Sequence, residues 1–243
     1  MKIFGFKSGS DSKFINITCN IILGVIVLLV FSLSIFSPVV TVSNSNFADA
    51  YYSGNKNNKN ITLMVNVYWG DEYLEEMLEI FKKNQIKTTF FVGGSWVAKN
   101  NSTLLKILGD GHEVGNHGYN HKDHSKLTVD QNRSEINLTH ELVSSISGYK
   151  MTLFAPPSGS YNKNVLSVAS SLNYKTIMWT YDTIDWRDKD ENLIFKRATQ
   201  KADNGSLILM HPTECTVRAL PKIISNLTER GFKLTTVSEN LAE

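Results

Sequence analysis

The run Ile61-Thr62-Leu63-Met64-Val65-Asn66-Val67 is short, mostly apolar and of strand length, and the period changes after it: from Glu72 to Lys83, Leu74, Met77, Leu78 and Phe81 fall on one helical face. Thr88 to Val92 follows as a second strand. The rest of the chain repeats this unit. A helix carrying Leu104, Leu105 and Leu108 leads to Glu113-Val114-Gly115-Asn116, a helix from about Thr128 to Ser147 leads to a strand near Leu153, and Lys163 to Leu172 leads to Thr176-Ile177-Met178-Trp179. Leu193 to Ala202 then precedes the buried strand Ser206 to Met210, and Ala219 to Arg230 precedes Lys233 to Val237. Strands alternating with helices specify an α/β fold with a parallel sheet. Periodicity leaves a closed barrel and a doubly wound sheet both open. In either, the loops after the C-terminal ends of the strands carry the chemistry.

Upstream, Lys2, Lys7 and Lys13 precede an uncharged run from Ile21 to Phe36 that continues past Pro38 to Val42. Residues 1–42 are therefore expected to be a cytoplasmic N-region and a transmembrane or signal segment, with membrane contact through residues 15–42 if it is not cleaved. Ala48-Asp49-Ala50 offers a small-residue cleavage site. The expected location is the cell membrane with an extracytoplasmic domain, or outside the cell after cleavage. Residues 43–60, rich in Ser, Asn and Lys, are expected to be a linker, and residues 61–243 the catalytic domain. A net charge of +2, with no basic stripe interleaved with aromatics, argues against nucleic acid as a partner. The two cysteines, Cys19 and Cys215, are placed wrongly for a structural disulfide.

His117 and His121 stand four residues apart just after a strand, a spacing at which both imidazoles can face one metal ion if the segment turns helically. Imidazole suits zinc, cobalt, nickel or iron. Two histidines in a polar loop remain the alternative, since His112, His124 and His140 lie nearby. His211 ends the apolar strand Leu207-Ile208-Leu209-Met210, where it can act as a general acid or sit as a satisfied core residue. Asp182 and Asp185 follow the strand ending at Trp179, and a carboxylate beside His211 would orient its ring. Trp69, Tyr161 and Trp186, near loop ends, are candidates for stacking on sugar faces.

Gly111-His112-Glu113-Val114-Gly115-Asn116-His117, Asp182-Thr183-Ile184-Asp185-Trp186 and Leu209-Met210-His211 come in the order of the motifs of the polysaccharide deacetylase (NodB homology, carbohydrate esterase family 4) family, which residues 61–241 resemble. The resemblance implies a distorted (β/α) barrel of about seven parallel strands and a metal-assisted removal of N-acetyl groups from an extracytoplasmic polysaccharide, cell-wall peptidoglycan first. It carries the metal role to His117 and His121, with zinc as the expected ion and cobalt or nickel as alternatives. It carries the acid role to His211 with Asp185 as partner, the base position to Asn66, substrate contact to Trp69, Asp182, Tyr161 and Trp186, and an oxyanion-holding N–H to Ser160 or Tyr161.

Three positions depart from the family pattern. Its adjacent aspartates, one the base and one the third metal ligand, are matched by Asn66 and Val67, and the arginine that pairs with the base is matched by Ala155. An amide has no useful basicity and a valine cannot ligate. Phe154-Ala155-Pro156-Pro157-Ser158-Gly159 and Met210-His211-Pro212-Thr213 resemble the sporulation-associated Gram-positive branch, so the substitutions go together. The expected function is a metal-dependent deacetylase that recruits Asp71, Glu72 or Asp182. The alternative is a catalytically impaired glycan-binding protein of the same fold.

Overall fold

The computed structural model describes residues 20–26, 28, 49–69 and 71–242. The segment expected to be an anchor or signal lies outside them except for a helical stretch at residues 20–26 and 28. No helix among the described residues is long and apolar enough to cross a membrane. The chain divides into the units Met1–Ser45 and Asn46–Glu243, and the second carries the fold.

Eight strands make one sheet: β1 (Asn60–Val67), β2 (Thr89–Val92), β3 (Glu113–Asn116), β4 (Leu153–Phe154), β5 (Lys175–Thr176), β6 (Tyr181–Asp182), β7 (Leu207–Met210) and β8 (Lys233–Leu234). Seven follow the order β5-β4-β3-β2-β1-β7-β6, and β8 pairs with the start of β1. Every pairing is parallel. The sheet curls into a half-barrel of parallel strands, which matches the distorted (β/α) barrel of about seven strands that the resemblance implies. The central strand β1 is buried on both faces, which is why it shows no polar alternation.

The period of two along β1 sets the position of the site. Leu63, Val65 and Val67 pack outward into the core between sheet and helices, together with Leu74, Met77 and Phe81 of the helix Asp71–Lys83. Met64 points the other way, into a second core with Phe91, Leu153, Ile177 and Leu209. Asn66 shares the inner face with Met64 and opens into a cleft beyond the strand ends. Val67 is therefore turned away from the cleft.

Several elements differ from expectation. The helix around Ala219 begins at Glu214 because Thr213 caps it, its side chain accepting the Thr216 N–H. The strand from Lys233 ends at Leu234, and Thr236 caps a short helix, Val237–Leu241. The strand expected at Thr176 to Trp179 shares only Thr176 with β5, and β6 follows after a bend.

Half of the stretch expected to be a linker lies on the domain. Tyr51 bridges Ile177 in parallel and Ser53 bridges Ser206 in antiparallel fashion, so residues 51–53 reach from the β5 end of the sheet to the start of β7. Asn55 donates its N–H to Asn240 O at 2.8 Å and its side-chain amide to Ala242 O at 3.1 Å. Gly54 permits this approach, since a Cβ there would lie 2.3 Å from Asn240 Oδ1. The two ends of the domain are thereby joined.

Candidate active site

A cleft of about 490 Å³ opens at the C-terminal ends of the strands, lined among others by Asn66, Trp69, His117, His121, Asp182 and His211. Each side chain arrives by a different element.

His117 extends β3, its N–H bonded to Val92 O at 3.0 Å. Its ring is buried, and Nδ1 lies 2.7 Å from Ala155 O. A carbonyl only accepts, so Nδ1 carries the proton and Nε2 keeps a free lone pair. Burial, then the neighbouring His121, lowers the pKa of His117 to about 3, which keeps the ring neutral. His121 stands with its ring 5.1 Å from that of His117, at a left-handed φ of 52°, and its pKa is also lowered, chiefly by burial. The Tyr68 ring covers it at 4.7 Å.

The loop carrying this pair is pinned by Glu135, which sequence reasoning missed. Its carboxylate, almost fully buried, accepts the Tyr119 N–H at 2.8 Å and the Asn120 N–H at 2.7 Å, and pairs with Lys122 at 2.9 Å. The signal was a charge on the buried stripe Asn132, Glu135, Ile136, Thr139 and Val143 of the helix Val129–Ser147. Gly118 completes the turn at φ 70°, where a Cβ would fall 2.8 Å from His124 Nε2. The other nearby histidines are structural: His112 is wedged between Phe81 and Phe90, and His124 is fully buried against Phe154.

On the far wall, His211 Nδ1 meets Asp185 Oδ1 at 2.8 Å, while Asp185 Oδ2 accepts the His211 main-chain N–H and the Thr216 hydroxyl, both at 2.6 Å. Asp185 is buried, does not line the cleft, and holds the His211 ring from behind. Trp69 stacks on His211, centroids 5.7 Å apart and planes 7° apart. Trp69 and Trp186 are exposed at the rim, and Trp179, which had been read only as a strand end, joins them on the wall. Asp182 lines the cleft, and burial raises its pKa, an effect partly opposed by the N–H of Ile184.

Tyr161 does not reach the cleft. Its hydroxyl is 2.7 Å from that of Tyr52, and Ser158, at φ 55°, stands on the lining instead. The Ser160 N–H is taken up by Pro157 O at 3.0 Å, which removes it as an oxyanion donor. Asp71 bonds the Trp96 indole, and neither it nor Glu72 lines the cleft.

The expected zinc, cobalt or nickel ion is served by only two donors. His117 and His121 are neutral, adjacent imidazoles, but Val67 is buried in the helix-side core, and no group of three His, Cys, Asp or Glu side chains gathers among the described residues. The three-ligand site does not form. Asn66, to which the resemblance carries the base position, is buried with its Oδ1 lacking any hydrogen-bond partner. The arrangement can seat a sugar between aromatic walls and offer an oriented imidazole, but it presents no base at the strand end of β1.

Residues 53–177 match the polysaccharide deacetylase family model. The chain is 43% identical to the Bacillus subtilis protein YlxY over 79% of its own length and 60% of that protein's. It is 36% identical to PdaC of the same organism, a peptidoglycan-N-acetylmuramic acid deacetylase, over 68% of its own length but only 35% of that protein's. The chain thus spans less than two thirds of either relative. Among solved structures, a pseudoenzyme of carbohydrate esterase family 4 from Bacillus anthracis superposes with a TM-score of 0.79 at 39% identity, over 81% of this chain and 70% of that one. A mutant of the same protein, described as having restored enzymatic activity, superposes with a TM-score of 0.79 at 37% identity, over 81% of this chain and 72% of that one.

Proposed function

The chain belongs to the polysaccharide deacetylase family, and from that premise we propose that it is a cell-wall glycan-binding member that keeps the substrate cleft and carries out little or no deacetylation. The observation that carries this reading is at Asn66. The side chain at the position the resemblance gives the base is a buried amide with an unpartnered oxygen, its neighbour Val67 faces the helix-side core, and no carboxylate among the described residues joins His117 and His121 in a three-ligand group. General-base catalysis contributes about 10²- to 10⁴-fold, so an amide there removes most of the rate. The likeness to a family 4 pseudoenzyme supports the same reading.

What the cleft keeps is suited to holding sugar. Trp69, Trp179 and Trp186 offer apolar faces, and Asp182 and the His211 ring offer polar contacts between them. Peptidoglycan is the polymer of choice, because relatives named as peptidoglycan deacetylases match most of this domain. The N-terminal apolar run would tether the domain outside the cell membrane through residues 15–42, or be cleaved on export, and the motif variants favour a sporulation setting.

A second reading has one observation in its favour. Asp182 is a carboxylate on the cleft wall whose pKa is raised by burial, the property of a usable base. The experiment that separates the two measures acetate release from N-acetylglucosamine oligomers and peptidoglycan, with zinc or cobalt added, alongside oligomer binding. Binding without release supports the first reading. Release that is lost in Asp182→Asn but not in Asn66→Ala establishes the second.

A further inference from the structure

Behind Asp182 lies a second groove of about 500 Å³, and its lining is cationic: Lys196, Arg197 and Lys201 share it with Leu193 and Ile184. Leu193, Lys196, Arg197 and Gln200 recur at helical spacing on the helix Glu191–Thr199 and the turn after it, so one helix face supplies the wall. Arg197 is already engaged, by Asp188 at 2.6 Å and Thr183 O at 2.9 Å. Lys196 and Lys201 pair with no carboxylate among the described residues. Asp182 lines both the cleft and the groove, which makes the two spaces neighbours across one side chain.

The turn between them is strained. Ile184, a β-branched residue, stands at φ 54°, donating its N–H to Asp182 Oδ1 at 2.7 Å and accepting from Arg187 and Asp188. That turn sends Asp185 behind His211 and leaves Asp182 on the dividing wall, with the basic helix face opposite. Backbone strain of this kind persists where the surroundings over-determine it.

We propose that this groove receives the carboxylate of an acidic sugar residue adjoining the one seated in the cleft, so that the chain selects acidic over neutral N-acetylated glycan. The inference rests on the glycan-binding reading of the cleft. Asp182, the acid on the dividing wall, has its Oδ1 taken up by the Ile184 N–H at 2.7 Å. The two unpaired lysines supply the attraction, and it is exposed enough to be screened by salt.

The test titrates the full-length chain with a tetramer of N-acetylglucosamine, with an alternating tetramer of N-acetylglucosamine and N-acetylmuramic acid, and with the latter after its carboxylates are amidated. At low salt the acidic tetramer is expected to bind about tenfold more tightly than the amidated one, and the ratio should fall below about twofold at 0.5 M salt. In the double variant Lys196→Gln, Lys201→Gln, checked for folding by circular dichroism, the low-salt ratio is expected to fall to the same level. Equal binding of acidic and amidated tetramers, or a preference that survives in the double variant, overturns the inference while leaving the cleft reading intact. Binding of none of the three overturns both.

Discussion

Asp185 grips His211 at two points, with Oδ1 2.8 Å from the ring Nδ1 and Oδ2 2.6 Å from the main-chain N–H. The same carboxylate accepts the Thr216 hydroxyl. Three donors thus converge on one buried acid, and that acid fixes the orientation of the imidazole on its side of the cleft. Replacing Asp185 by Ala leaves those donors buried and unmatched, at a cost of about 2–4 kcal/mol. Urea denaturation measures it. A loss under about 0.5 kcal/mol would show that solvent replaces the carboxylate.

Returning a carboxylate to the end of β1 tests the proposed loss of activity directly. Asn66→Asp is expected to raise acetate release from N-acetylglucosamine oligomers at least tenfold over the parent chain, with zinc or cobalt present. A variant that folds and gains nothing would place the deficit at Val67 instead.

Trp69 is exposed and parallel to His211, so its removal touches the cleft without touching the core. Trp69→Ala is expected to weaken oligosaccharide binding by about five- to twentyfold, with the melting temperature within a few degrees of the parent. Isothermal titration and a thermal scan check both halves, and unchanged affinity would remove Trp69 from the binding surface.

His112 makes the stability depend on pH. Burial, then the charge of Lys87, lowers its pKa to about 4, and its Nδ1 accepts the Thr88 N–H at 3.1 Å, which only a neutral ring can do. The folded value lies below the unfolded one of about 6.5, so the unfolded chain takes up the proton first as pH falls. The stability His112 contributes is whole above pH 6.5 and is lost on the way down to pH 4, on the order of 3 kcal/mol in all. Denaturation curves across that window should be steeper in pH for the parent than for His112→Gln, and equal slopes would reject the assignment.

Glu135 holds the loop between the two cleft histidines, so Glu135→Ala should free the Tyr119 and Asn120 amides. Amide exchange at those two residues is expected to accelerate at least tenfold while exchange in β1 and β2 stays slow. Uniform acceleration would mean that the whole domain, and not the loop, depends on Glu135.

The alternation of periods gave away most of the fold. Glu113–Asn116 was legible to the residue, and the helix Asp71–Lys83 to within one, because long amphipathic runs and buried strands leave strong patterns. The losses lie where chains are short: β6 is two residues long, too brief for any period, and Val237 follows the β-prone Leu234-Thr235-Thr236, which the Thr236 cap turns into helix. The site was legible where chemistry is local, as at His117, His121, His211 and Asp185. It was illegible where geometry decides. Tyr161 faces Tyr52 rather than the cleft, Trp179 lines the cleft while packing against the inner core, and the outward turn of Val67 follows from strand parity that a motif alignment alone does not supply.

The ladder around β1 also bears on how the molecule comes into being. Its central strand is translated before its partners β7 and β8, yet one edge of that strand is covered only by β7 and the start of the other only by β8, and residue 55 is tied to the far end of the domain through residues 240 and 242. A nascent chain emerging from the ribosome therefore carries an apolar strand with an open edge through most of its synthesis, the condition under which strands from different molecules pair with one another. Aggregation is a hazard of the unfinished chain, and any holding factor would have to guard it until β7 arrives.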